Sequence, residues 1–237
     1  MKATIEATKL KSIINTILPV IDEVVVNYDE GGWSVLTNDR ANVCILHLTI
    51  GEDEFEKYEV DEEGEFGFNV KKMNNILDMA GDENVNLDIG DSIKLEYGKY
   101  KYKLPTVDVD LIRRDVNIPD IEYDIDFDLD TDEFKDAIKA SDKISNQVKI
   151  TFGSDLSFES IEGQDEISID FNDYEVKERN LDEPVESKYS IDYLSDMTSS
   201  IKSDMINISY STEFPISLKY VGEGTDVLFM LAPMKGD

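Results

Sequence analysis

Reactive side chains are scarce in this chain: one cysteine, one histidine and one tryptophan occur among 237 residues. A lone Cys44 excludes an intrachain disulfide and suits a reducing cytoplasm. No Cys/His cluster is available for zinc, and no glycine-rich phosphate loop or nucleophile elbow occurs. His47 and Cys44 share the alternating run 43–50. The first reads as a surface strand residue and the second as a small core residue or inert thiol. No apolar run approaches the roughly 18 residues of a membrane span, and the opening MKATIEATKL lacks a signal-peptide core. Positive charge is short as well, with 23 Lys and Arg against 53 Asp and Glu. Carboxylates are so abundant that no pair stands out as acid and base. Glu52-Asp53-Glu54 and Asp61-Glu62-Glu63 read as solvated loops. Nothing here points to an enzyme, and no cofactor or metal is expected.

The net charge of −30 is the counterpart of that shortage. Self-repulsion on this scale weakens a compact state in dilute salt, and concentrated salt screens it. The expectation is a salt-adapted, halophilic host, or a virus of one, with an ordinary acidic surface as the alternative. Asp outnumbers Glu by 30 to 23, which suits a hydrated shell of short carboxylates. Hydrophobic residues still make up 41% of the chain, enough for real cores.

What is present is written twice. Ala3 and Ile5 lead into an amphipathic stretch with Leu10, Ile13, Ile14 and Ile17. Phe127 and Leu129 lead into another with Phe134, Ala137, Ile138 and Ser141, about 124 residues on. Val70, Met73 and Ile76 are matched by Ile191, Leu194 and Met197, about 121 residues on. Two similar modules of roughly 110 to 120 residues follow. Between the helical stretches, period-two alternation predicts strands at 23–28, 33–37, 43–50, 84–89, 92–97 and 100–104. The second half adds 148–152, 156–160, 167–171, 206–210, 216–220 and 227–231. The fold class is α+β: antiparallel sheet, one face buried, with two helices per module. Thr8, Asn69 and Ser190 are candidate helix caps, Asp130 with Glu133 a capping box, and Pro19 and Gly81 fit the first two helix ends. The expected division is 1–110, a connector at 111–125, and 126–237. The connector lacks a helical period. It is either a passive linker or, with Val116, Ile118, Ile121 and Tyr123, a segment packed on a module.

The helices do not share the chain's acidity. Stretches 7–21, 69–80, 131–143 and 189–203 together hold eight lysines and seven carboxylates, a net +1 that leaves −31 elsewhere. Lys71, Lys139 and Lys143 project away from the apolar stripes, and Lys9 and Lys11 flank one. Two readings stand: ordinary solvated lysines, or a face turned to a polyanion. Contacts of the second kind would be phosphate-directed and unspecific. Asp192, Asp196 and Asp136 argue for the first.

Several motifs, taken in order, resemble a known family, the archaeal-type sliding DNA clamp or proliferating cell nuclear antigen. They are Asp22-Glu23, Asp39-Arg40-Ala41-Asn42-Val43 leading into Leu48-Thr49-Ile50, and the helix from Asn69 to Gly81. Ile118-Pro119-Asp120-Ile121-Glu122-Tyr123, Phe214-Pro215-Ile216 and Leu231-Ala232-Pro233 complete the set. The resemblance spans essentially the whole chain.

It implies a homotrimeric ring whose helices line a hole around double-stranded DNA. Such a ring tethers the replicative DNA polymerase, flap endonuclease and DNA ligase through short peptide motifs, and a separate clamp loader opens it. DNA-facing residues by this analogy are Lys11, Lys139 and Lys143, then Lys71, Lys72, Lys9 and Lys202. The subunit interface is expected at Tyr100, Tyr102 and Leu104 of one chain and Ile167, Ile169 and Phe171 of the next. The partner-peptide pocket is expected at Val43, Ile45, Val116, Ile118, Tyr123, Pro215, Met230, Ala232 and Pro233. The implied location is cytoplasmic, at the nucleoid. Departures are Asn75 and Asp78, where eukaryotic relatives place lysines, and the tail Met234-Lys235-Gly236-Asp237, where relatives carry a basic residue and Ile-Glu. Competing readings are one subunit of a heterotrimeric clamp, an acidic peptide-binding adaptor that does not encircle DNA, and a carboxylate-dependent hydrolase.

Overall fold

The computed structural model describes residues 1–112, 115–179 and 183–234, and structural statements refer to these. Arg113 and Arg114 of the connector and 235–237 of the tail lie outside them. The chain divides into two units, Met1–Asn117 with Glu223–Val227, and Ile118–Gly222 with Leu228–Asp237.

The first unit runs β1 (Lys2–Glu6), α1 (Ala7–Ile17), β2 (Glu23–Asp29), β3 (Gly32–Asn38), β4 (Cys44–Gly51), β5 (Lys57–Glu59), β6 (Gly64–Asn69) and α2 (Val70–Leu77). It continues with β7 (Asn84–Ile89), β8 (Ser92–Tyr97), β9 (Tyr100–Pro105) and the single turn α3 (Val109–Ile112). The second runs β10 (Ile125–Asp130), α4 (Thr131–Ser141), β11 (Gln147–Phe152), β12 (Leu156–Glu162), β13 (Asp165–Phe171), β14 (Tyr174–Arg179) and β15 (Val185–Ser190). It ends with α5 (Ile191–Thr198), β16 (Met205–Tyr210), β17 (Ile216–Gly222) and β18 (Thr225–Leu231).

Strand order repeats between the halves. The first has β5-β1-β7-β8-β9 and β4-β3-β2-β6; the second has β14-β10-β16-β17-β18 and β13-β12-β11-β15. Alternation drives this arrangement. In β4 the residues Cys44, Leu46, Leu48 and Ile50 are all at most 2% exposed, while Ile45, His47 and Thr49 are half-buried. Apolar residues of α1 (Leu10, Ile13, Ile14, Ile17) are buried, as are Phe134, Ala137 and Ile138 of α4. Burial at roughly 25 cal/mol per Å² of apolar surface holds helix to sheet, because isolated helices this short are marginal in water.

Helix starts use the backbone before they use side chains. Ala7 N–H donates to Glu83 C=O at 2.9 Å, and Thr131 N–H to Asp204 C=O at 2.9 Å. Val70 N–H donates to Asp22 C=O at 2.8 Å, and Ile191 N–H to Asn146 C=O at 3.0 Å. A first-turn donor that would otherwise lack a partner is thus satisfied in all four. Thr8 therefore does not cap α1, which starts at Ala7 with Glu6 in the cap position. Ser190 occupies the cap position of α5 without bonding from its side chain. Asn69 does cap α2, its Oδ1 accepting from Lys72 N–H at 2.8 Å, and Asp130 caps α4 through Asp132 and Glu133 N–H. At eight residues each, α2 and α5 make little more than two turns.

Four strands escape the alternation reading: β5, β6, β14 and β15. The connector begins with a turn of helix, α3, packed on β2 and β6. Val107 N–H bonds Gly67 C=O at 2.9 Å, and a Cβ on Gly67 would meet the Val107 oxygen at 2.6 Å. Only glycine permits that approach.

The Asp39–Val43 loop has a clear physical basis. Asp39 is 6% exposed, and its carboxylate accepts N–H bonds from Ala41, Val43 and Cys44 at 2.8–3.1 Å. Asn42 takes the left-handed conformation (φ 58°) that closes the loop. Cys44 itself is buried, and desolvation, with help from Asp39, pushes its thiol up to about 12.

Candidate nucleic-acid interface

Polar faces of the helices carry the lysines, and the structure divides these into engaged and exposed. Lys9 of α1 is ion-paired with Glu54. Lys11 reaches across to Asp78 at the end of α2, with Nζ 2.6 Å from Oδ1. Lys135 of α4 makes the corresponding reach, donating to Ile201 C=O just past α5 at 2.6 Å. A cation near a helix C-terminus complements the macrodipole, so both lysines brace one helix against the end of the next. Lys11 and Asp78 are each more than a third exposed, so that pair contributes at most about 1 kcal/mol.

Lys71 and Lys72 stand exposed in the first turn of α2, and Lys143 is exposed just after α4. Among the described residues none of these three makes an ion pair. Lys139 is exposed, with Asp136 at a loose 3.8 Å. Lys202 is exposed beyond α5 and has an interaction of its own. Ranking by resemblance places Lys11 first and Lys71 and Lys72 later, but the geometry engages Lys11 and leaves Lys71 and Lys72 unpaired. Sequence reasoning missed Lys135, although its position 124 residues after Lys11 was a usable signal.

The residues expected at the subunit interface lie on sheet edges. β9 ends the five-stranded sheet of the first unit, with Tyr100 and Tyr102 half-buried and Leu104 buried. β13 ends the four-stranded sheet of the second, with Ile167 and Ile169 half-buried and Phe171 buried.

Residues expected in the peptide pocket belong to both units. In the first, Val43, Ile45 and Val116 are half-buried. In the second, Ile118 is exposed, Tyr123, Pro215, Ala232 and Pro233 are half-buried, and Met230 is buried. Tyr123 lies beside Ser217, two residues from Pro215, and desolvation pushes its hydroxyl up to about 12. Nearby in the same unit, Tyr189 donates to Phe214 C=O at 2.8 Å, and Phe214 is itself exposed. Among the described residues no group of three or more His, Cys, Asp or Glu could hold a metal ion. No helix among them is long and apolar enough to cross a membrane.

Two family descriptions match almost end to end. The N-terminal domain of proliferating cell nuclear antigen matches residues 2–117 and its C-terminal domain residues 117–235. This chain belongs to the proliferating cell nuclear antigen family. A DNA polymerase sliding clamp of Archaeoglobus fulgidus is 32% identical over 233 residues, covering 94% of each chain. One of Methanothrix thermoacetophila is 28% identical over 240 residues, covering 98% of each. Among solved structures, proliferating cell nuclear antigen of A. fulgidus bound to the C-terminal region of FEN-1 superposes with a TM-score of 0.90 at 28% identity. That match covers 100% of this chain and 99% of the other.

Proposed function

We propose that three copies of this chain close into a ring around duplex DNA and serve as a sliding clamp. In that role they hold a DNA polymerase and other replication and repair enzymes at their substrate. One observation carries the reading: a single chain of this family holds the same two-sheet, two-helix unit twice, and each unit presents an edge strand that a second copy can extend. Residues 1–110 and 126–237 are the two modules, with 111–125 as connector.

The mechanism is linkage. A closed ring retains DNA without tight binding, so a chain of −30 can hold a polyanion that it would otherwise repel. Lys71, Lys72, Lys139 and Lys143 supply weak, salt-screened phosphate contacts that permit sliding. A tethered polymerase then stays at high effective concentration near the primer end. No catalytic step is assigned to this chain, and ring opening falls to a separate ATP-driven loader. Short peptides with apolar anchors, including one of the flap-endonuclease kind, dock at the surface around Tyr123, Pro215, Ala232 and Pro233. A cytoplasmic, nucleoid-associated location follows from that work.

Loaded onto a closed circular primed template, the protein should stay bound through gel filtration and leave when the circle is cut. It should also lengthen polymerase runs on the circle. Retention on cut DNA, or a monomeric mass in both dilute and concentrated KCl, would sink the ring.

A further inference from the structure

The two edge strands carry opposite charge, each on the face turned away from the buried side of its own sheet. Along β9, Tyr100, Tyr102 and Leu104 align with the buried residues of β8, for Tyr102 pairs with Leu95 and Leu104 with Ile93. Lys101 and Lys103 therefore point to the outer face, both exposed. Along β13, Ile167, Ile169 and Phe171 align with buried Ser160, Phe158 and Leu156 of β12. Glu166, Ser168 and Asp170 point outward and are exposed.

Neither set is fully neutralised at home, for Lys103, Glu166 and Asp170 make no ion pair among the described residues. Lys103 sits opposite Lys94, a like charge already bonded to Asp88 at 2.7 Å. Lys101 has only an exposed pairing with Glu96 at 3.0 Å. Four of the chain's 19 lysines fall within 94–103, so this basic edge is unusual in a chain so acidic.

We infer that ring closure is selected by charge: a second copy of this chain brings Glu166 and Asp170 of its β13 against Lys101 and Lys103 of β9, forming an ionic row on the outer face of the junction. The inference rests on the ring reading above and specifies how its edges choose each other. Side chains alternate, so matching the apolar faces of the two strands necessarily matches their charged faces. With antiparallel strands, Tyr102 opposite Ile169 sets Lys101 against Asp170. A slip of two residues sets Lys103 against Glu166. Pairing β9 with β9 would oppose lysines, and pairing β13 with β13 would oppose carboxylates; both are penalised. Only the head-to-tail junction remains, and that junction makes rings.

Charge reversal tests this on the full-length chain, with mass read by sedimentation and folding checked by circular dichroism. K101E with K103E, and separately E166K with D170K, should each weaken the trimer by at least about tenfold in dissociation constant, since in either register one directly opposed pair and its diagonal charged neighbours become repulsive. The quadruple variant, with both edges reversed, should return to a trimer. Concentrated KCl should narrow the gap between the double variants and the unaltered chain. Double variants that remain trimeric like the unaltered chain, or a quadruple variant that is folded yet monomeric, overturn the ionic row while leaving the ring intact. An unaltered chain that never forms a trimer overturns the ring reading itself.

Discussion

The two halves share strand order, helix position and backbone helix starts, yet they place caps and exposed lysines on opposite helices. In the first half the side-chain cap is on the second helix, α2, through Asn69; in the second half it is on the first, α4, through Asp130. The repeat partners of those caps, Ser190 and Glu6, make no such bond. Exposed lysines follow the caps. Lys71 and Lys72 of α2 correspond to Asp192 and Tyr193 of α5, while Lys139 and Lys143 correspond to Asn15 and Pro19. Buried positions tolerate little exchange because both halves must fill the same space. Surface positions need only supply some positive charge per module, so the duplicates diverged in where they put it. The one lysine pair kept in register, Lys11 and Lys135, is the pair spent on joining helices.

That contrast can be broken first in the core. Phe134 (0% exposed) and Leu10 (3% exposed) occupy the same repeat position. Phe134→Ala should cost about 3–5 kcal/mol and Leu10→Ala about 2–5 kcal/mol in denaturant unfolding. Next come the lysines. Replacing Lys71 and Lys72 by glutamine should lower the slope of log DNA affinity against log salt by about 0.9 for each phosphate no longer neutralised. Lys9→Gln should leave that slope unchanged, since Glu54 already holds Lys9. Caps are a smaller test: Asn69→Ala and Asp130→Ala should each cost about 1 kcal/mol, and Ser190→Ala close to nothing.

The smallest effect concerns Asp196, whose carboxyl is raised above its ordinary value by burial first and by Asp192 second. A raised carboxyl stabilises the folded state while protonated, and that contribution is lost as pH rises through the folded value. Asp196→Asn should therefore add a few tenths of a kcal/mol at neutral pH, fading below the usual carboxylate range. Melting curves at pH 7 and in acid would measure it.

Much of the fold is readable from residues alone. Strands such as β4 and β8 announce themselves because every second side chain is apolar. β6 and β15 are quieter: Phe66 and Phe68 are broken up by Gly64 and Gly67, and Val185, Ser187 and Tyr189 leave only two apolar residues facing inward. β14 exposes Val176, and β5 is only three residues long. At the candidate site, composition shows that the helices are less acidic than the rest. It does not show that Asp78 and Glu54 draw Lys11 and Lys9 into ion pairs, because those pairs join residues 67 and 45 positions apart. The charged rows on β9 and β13 are visible as letters, but only strand order shows that both lie at an edge.

The buried thiol of Cys44 has a practical corollary. It is 1% exposed and stays protonated far above neutral pH, so it should be nearly inert toward maleimides in the folded protein. A cysteine introduced anywhere on the outside would then be the sole reactive handle on each protomer. Fluorophores could be attached one per copy, and their spacing measured, with the natural residue left in place.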